Sequence, residues 1–178
     1  MKGRILGRRT LLKSRFFHIV EEDVVYRGKR FPYEYRAHGP VVHVVALTPR
    51  GEILLVRQYR PPARRELLEL PAGLVEPGES LLAAAKRELL EETGYAARRW
   101  RRLGAWYPGP ASTGMRSSYF LATGARHVKR MNPGRLEFIK VEKRPFAAVA
   151  RAWPRIDETT VGLLLGVALA ARVLPRKL

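Results

Sequence analysis

Residues 73–95, GLVEPGESLLAAAKRELLEETGY, hold five glutamates in a chain where Lys and Arg outnumber Asp and Glu by 34 to 16. This stretch constrains the fold more than any other. Ser80 can cap a helix start and Gly94 can sit just past its end, so the spacing predicts a helix over 80–93. Leu82, Ala85 and Leu89 supply an apolar face to lay on a sheet. At about 100° of rotation per residue, Glu88, Glu91 and Glu92 share roughly one third of the circumference, with Glu88 and Glu92 adjacent at i and i+4. Arg87, four residues before Glu91, is placed to pair with it. Three carboxylates on one face repel unless something positive sits among them. A solvated acidic face balanced by Lys86 and Arg87 is the bland reading. Hard oxygen ligands on a rigid helix for Mg²⁺ or Mn²⁺ is the sharp one.

The elements around the helix read as strands. RFFHIVEE and VVYRG, within residues 1–37, form a β-rich arm of antiparallel strands. VVHVVAL (41–47), the turn TPRGE and ILLVRQYR (53–60) read as a hairpin. A short strand follows near 66–70, then strands at 101–107, 117–125 and 137–142. PFAAVARA (145–152) reads as a short helix and about 160–173 as a last one, capped by Asp157 or Thr159. Strands with two principal helices suit a mixed sheet covered on both faces. The length fits one domain of 38–178 plus the arm 1–37, with no repeat and no low-complexity segment.

Composition narrows the function classes. There is no Cys, which excludes a disulfide framework and a thiolate metal site and fits a cytoplasmic, reducing setting. The first twenty residues show no apolar run with a cleavage site, and VGLLLGVALAA (161–171) is far short of the roughly 20 residues that span a bilayer, so a buried helix is expected and no membrane partner. The net charge of +18 suits nucleic acid, steering of small polyphosphates, or an Arg-rich surface alone. Only RRWRR at 98–102 forms a patch. Small anions are the favoured partner, ahead of nucleic acid.

The segment also fits G-x5-E-x7-R-E-U-x-E-E-x-G-U, with U bulky and apolar or aromatic. Gly73, Glu79, Arg87, Glu88, Glu91, Glu92 and Gly94 are the fixed residues, and Leu89 and Tyr95 fill the U positions. Seven such matches coincide about once in 10⁸ windows at average composition, so chance is not the explanation. The pattern resembles the Nudix box. VRQYRPP (56–62), ELPAGLVEPGE (69–79) and Pro110, 15 residues after Tyr95, resemble the ADP-ribose pyrophosphatase branch of that family.

The resemblance implies a Nudix-type α/β/α sandwich with a mixed sheet and a β-rich N-terminal arm that dimerises. It implies Mg²⁺-dependent hydrolysis (Mn²⁺ serving as well) of a nucleoside diphosphate, ADP-ribose giving AMP and ribose 5-phosphate. Metal ligands would be Glu88, Glu91, Glu92 and the carbonyl of Ala72. Arg87 would orient the acids and Glu79 support the loop, while Gly73 and Gly78 allow it to turn tightly. Substrate would meet Arg57, Arg60, Glu69 and Pro110. Arg57 and Arg60 equally suit solvated strand-end cations, Glu69 an ion pair with Arg64 or Arg65, and Pro110 an ordinary loop proline. Tyr26, Phe16 and Phe17 could stack on adenine, but core packing is the favoured reading for each.

This chain departs from the branch at Gly114 and Met115, where an acid is expected after Pro110. The general base is then Glu137, which opens EFIKV, or Glu91. Glu137 also suits a strand-end partner for Arg135. Other nucleotide sugars, dinucleoside polyphosphates and capped RNA are alternative substrates, and a nonhydrolytic nucleotide- or RNA-binding module of the same fold is the rival from another class.

Overall fold

The computed structural model describes residues 2–14, 17–134, 138–152 and 159–174. The chain forms two compact units, Met1–Pro40 with Trp106–Ser117, and Val41–Ala105 with Ser118–Leu178.

In the first unit β1 (Arg4–Lys13), β2 (His18–Tyr26) and β3 (Lys29–Ala37) make an antiparallel meander. The β2–β3 register closes at Tyr26↔Lys29. Arg27 and Gly28 between them both have positive φ, 51° and 74°, as a two-residue hairpin turn that follows strand twist requires. Arg9 pairs with Glu21 at 2.8 Å and Arg30 with Asp23 at 2.5 Å across the strands. The loop holding Pro110 belongs to this unit. Arg36 N donates to the Ser112 carbonyl at 2.9 Å and the Tyr33 hydroxyl to the Ala111 carbonyl at 2.8 Å. The loop therefore satisfies a backbone group of β3, and among the described residues β1 pairs with β2 alone.

The second unit contains β4 (Val41–Leu47), β5 (Glu52–Arg60), β6 (Arg65–Glu69), β7 (Ala72–Leu74), α1 (Leu81–Thr93), β8 (Tyr95–Ala96), β9 (Arg99–Trp106), β10 (Ser117–Thr123), β11 (Arg126–His127), β12 (Ile139–Pro145), α2 (Phe146–Arg151) and α3 (Val161–Ala171), except that the end residues Trp106 of β9 and Ser117 of β10 fall in the first. Its mixed sheet runs β12-β5-β4-β10-β9, with β6 on β5 and β7 on β4. The expected 41–47/53–60 hairpin holds only at its base, through Ala46↔Leu54 and Leu47↔Ile53. Beyond those pairs β5 turns to β6 from Val56 to Arg60, and β4 pairs with β7 from Val41 to His43. The two strands splay, and residues 65–74 fill the opening. That opening is where the acidic helix arrives.

Alternation along the strands fills two cores. Val42, Val44, Ala46, Leu54, Phe120 and Ala122 meet Ala84, Ala85 and Leu89 of α1 on one face. Val45, Leu47, Ile53, Leu55, Tyr119 and Leu121 meet Phe146, Val149, Leu163, Val167 and Ala170 of α2 and α3 on the other. The period of two in a strand makes this two-sided burial possible. At Gly166 a Cβ would come within 2.4 Å of Leu70 Cδ1 and 3.1 Å of Val45 Cγ2, so the glycine lets α3 lie this close without those buried side chains shifting. Among the described residues no helix is long and apolar enough to cross a membrane.

Two local expectations change. The α3 cap is Thr160, whose hydroxyl accepts from Leu163 N at 3.3 Å, while the Thr159 hydroxyl donates to the Leu68 carbonyl; Asp157 lies outside the described residues. Leu82 is exposed, because the buried face of α1 runs through Ala84, Ala85, Glu88, Leu89 and Glu92. The carboxylates thus stand at the edge of the packed face rather than opposite it.

Candidate active site

α1 begins where Ser80 accepts from Ala83 N at 3.1 Å and ends at Gly94, φ 74°. Between these caps its last two turns present Glu88, Glu91 and Glu92. Glu88 and Glu92 are buried, at 9% and 4% exposure, whereas the Glu91 side chain is 42% exposed. Glu92 Oε2 accepts from the backbone N–H of Ala72 at 3.0 Å, which ties the helix to β7.

Glu88 lies against Gly73. A Cβ at that glycine would stand 2.0 Å from Glu88 Oε1 and 2.2 Å from its carboxyl carbon. Of the two glycines read as turn formers, only Gly78 has positive φ, 79°. Gly73 instead lacks a side chain because the carboxylate takes that volume. The sequence pattern fixes this glycine but does not reveal the reason, which is a contact across 15 residues.

Arg87 joins the acids. Its Nε and Nη2 hold the two oxygens of Glu79 at 3.0 Å each, and Nη1 reaches Glu88 Oε1 at 2.7 Å and Glu91 Oε2 at 3.2 Å. Nη2 also donates to the Leu74 carbonyl at 2.9 Å. A guanidinium has five N–H donors, and these bonds occupy all of them. Glu79 foremost, then Glu88 and Glu91, raise the Arg87 pKa above its ordinary value. In return the Arg87 hydrogen bond, followed by that of Glu76 N, holds the Glu79 carboxyl below its usual range.

Arg60 holds Glu69 through two parallel bonds, Nε to Oε1 at 2.9 Å and Nη2 to Oε2 at 2.6 Å. The partner of Glu69 is therefore Arg60 across the β5–β6 pair, rather than Arg64 or Arg65 beside it in sequence. Arg57 donates to Glu142 Oε1 at 2.5 Å, and Arg144 takes Glu142 Oε2 at 2.7 Å. Arg57 first, then Arg144, hold the Glu142 carboxyl below its usual range. Glu142 is a partner that sequence reasoning missed. Its only trace was the alternation of charges along Lys140, Glu142 and Arg144. Pro110 lies in the first unit and is exposed, and Glu137 lies outside the described residues.

Among the described residues no three Asp, Glu, His or Cys side chains form a ready-made metal cluster. The donor set nonetheless fits a hard divalent cation. Two buried carboxylates stand one turn apart beside a backbone with no side chain at Gly73, and Mg²⁺ is commonly held by one or two carboxylates with its remaining positions filled by water and phosphate.

Known proteins share this framework. The chain is 34% identical over 111 residues to an ADP-ribose pyrophosphatase of Bacillus subtilis, covering 62% of this chain and 60% of that protein. It is 40% identical over 94 residues to an ADP-ribose pyrophosphatase of Mycobacterium tuberculosis, covering 52% and 45%. The matched part thus spans about half the length of these curated relatives. A crystal structure of an ADP compounds hydrolase superposes with a TM-score of 0.81 over 97% of this chain and 94% of that one, at 22% identity, which speaks for the fold. Residues 37–171 match the NUDIX domain, and the chain belongs to that family.

Proposed function

We propose that this protein is a Nudix pyrophosphohydrolase that cleaves ADP-ribose to AMP and ribose 5-phosphate. The observation that carries the reading is the pair of buried carboxylates, Glu88 and Glu92, fixed against β7 by Ala72 N, by the space at Gly73 and by Arg87. The names of the relatives support ADP-ribose as the substrate within the nucleoside diphosphate class.

Glu88, Glu92 and the Ala72 carbonyl would hold Mg²⁺ or Mn²⁺, with Glu91 as a further ligand. When bound, such ions offset phosphate charge and make water more acidic. The protein supplies the rest. Arg87 keeps the acids from repelling one another and fixes their rotamers. Arg57 and Arg60, each braced by a carboxylate, offer planar donors to phosphate or ribose, and Pro110 shapes the substrate side of its loop. Water attacks a phosphorus; an O–P bond forms as the bridging P–O bond breaks, the bridging oxygen leaves with its electron pair, and a carboxylate takes the water's proton. Glu137 or Glu91 is that base.

The protein acts as a homodimer through the arm. In support, β1 leaves Ile5, Leu6, Leu11 and Leu12 between 43% and 53% exposed, more apolar surface than an edge strand normally shows to water.

Glu92→Gln keeps size but removes a charge. It should lower kcat by about 10²-fold or more, since even partners of metal ligands cost 10–100-fold, with the circular dichroism spectrum unchanged. Wild-type rates at limiting Mg²⁺ would refute the assignment. No turnover of any nucleoside diphosphate by the unaltered protein would favour a binding module.

A further inference from the structure

The basic run RRWRR at 98–102 has no place in the carboxylate site, yet its first two residues, Arg98 and Arg99, line a concavity of the same unit. A cavity of about 1050 Å³ opens at the end of β4, with Leu47, Val128 and Leu174 as apolar lining and Arg98, Arg99 and Arg126 among the residues around it. An adjoining hollow shares Thr48, Pro49 and Arg126 and adds Arg50 and Lys143. Leu47 is four residues along β4 from His43, which pairs with Ala72. At about 3.3 Å per residue the two regions stand roughly 13 Å apart along the strand.

The charges here are one-sided. Arg9, Arg30, Arg57, Arg60, Arg87 and Arg144 all have carboxylate partners. Among the described residues Arg50, Arg98, Arg99, Arg126 and Lys143 make no ion pair. The one acid lining the adjoining hollow, Glu52, accepts from the Thr48 hydroxyl at 3.1 Å. Clefts lined by a single sign of charge concentrate the opposite ion. Evenly scattered surface arginines would do so only weakly, whereas these share an apolar hollow.

We propose that this groove is a second anion site, taking a nucleotide-sized small molecule through its phosphate group. Size and lining both favour a small ligand over a nucleic acid. The cavity volume stands at the upper end of small-molecule sites, no aromatic ring lines the larger cavity, and the two rings of the adjoining hollow, Tyr95 and His127, meet edge to face rather than forming the row of platforms on which single-stranded nucleic acid stacks successive bases. The apolar part can cover a base or sugar while the guanidiniums hold phosphate.

The test is calorimetry on the full chain in EDTA, with AMP, inorganic pyrophosphate and a 12-nucleotide single-stranded RNA as separate probes. AMP and pyrophosphate should each bind, and the Arg98→Ala/Arg126→Ala double variant should weaken both at least tenfold. Equal affinities would show phosphate alone is recognised, and tighter AMP would show that the nucleoside is covered too; both support the site. KM for ADP-ribose should stay within twofold, a readout separate from whether that substrate is the right one. If the double variant does not fold, Arg98→Glu alone should give at least the same loss. No binding of either small probe, binding unchanged by these variants, loss on Arg60→Ala instead, or RNA bound tenfold tighter than AMP would each overturn the proposal.

Discussion

Gly73→Ala isolates what the glycine at the helix–strand contact is for. The added methyl would stand 2.0, 2.2 and 2.5 Å from Glu88 Oε1, Cδ and Oε2. Nonbonded carbon and oxygen need roughly 3.2 Å or more, so the carboxylate must retreat by more than about 1 Å. It can do so, because the obstruction is the end of a flexible side chain and Gly73 φ is not in the left-handed region. The fold therefore survives. Retreat weakens the 2.7 Å bond from Arg87 Nη1, worth about 1.5–3 kcal/mol as a charge-assisted bond. Replacing glycine returns about 0.4–1 kcal/mol by restricting the unfolded chain. Net destabilisation is thus on the order of 1–2 kcal/mol.

Activity should fall much further. Misplacing a group at the reacting centre by about 1 Å costs about 10²-fold, and here the displaced group is a proposed metal ligand. The measurement is kcat and kcat/KM for ADP-ribose over an Mg²⁺ titration, beside urea unfolding of both proteins. A rate loss near 10²-fold with the fold kept, partly recovered at high Mg²⁺, is the expected result. Wild-type kcat/KM in Gly73→Ala would refute both the contact and the role given to Glu88. A variant that simply fails to fold would refute the claim that only a side-chain end is in the way.

Four further variants test other residues of the site and the fold, three on the geometry above and one, Glu137→Gln, on the family resemblance. Gly94→Ala should behave in the opposite sense, losing roughly 2 kcal/mol or more of stability in urea titration, because its Cβ would lie 2.2 Å from the Lys129 backbone carbonyl at φ 74° and neither can move aside. Arg87→Lys replaces five planar donors by three, and should lower kcat about tenfold or more while raising the Mg²⁺ requirement, measured by steady-state kinetics. Glu137→Gln should lower kcat by about 10²–10⁴ with substrate affinity kept, and a loss below about threefold would move the base to Glu91. Burial lowers the His43 pKa to about 4, so the unfolded chain takes up its proton first as pH falls. The stability that neutral His43 secures is full above pH about 6.5 and declines towards pH about 4, by at most about 3 kcal/mol. Urea midpoints across that range should flatten in His43→Phe, which keeps a ring to stack on Tyr119.

How much of this was legible in the sequence depends on how far apart the interacting residues are. Helix α1, its two caps and the Arg87–Glu91 pair are set within four or five residues, and the periodicity predicts all of them. Partners across strands depend on register, which no local pattern states. Glu69 has Arg64 and Arg65 close by in sequence, yet the β5–β6 pairing gives it Arg60. The same cause hid Glu142 behind Arg57, and left β7, three residues long, unrecognised although it carries the N–H that fixes Glu92. The loop of Pro110 looked like a strand connection of the main domain, but its backbone bonds go to β3 of the arm.

The acidic helix joins both kinds of information. Its i, i+4 spacing puts Glu88 and Glu92 side by side, but the same spacing would serve a solvated acidic face. What separates the two is the burial of both carboxylates at the splay between β4 and β5. Burying two like charges one turn apart costs several kcal/mol unless cations or hydrogen-bond donors compensate, and a chain with 34 basic residues could have filled the place with an ion pair for each. Among the described residues Arg87 reaches three of the acids, Glu79, Glu88 and Glu91, with all five donors committed. One positive charge set among several carboxylates is an arrangement that the proposed divalent cation would complete, because its two charges add to that of Arg87 where the acids converge.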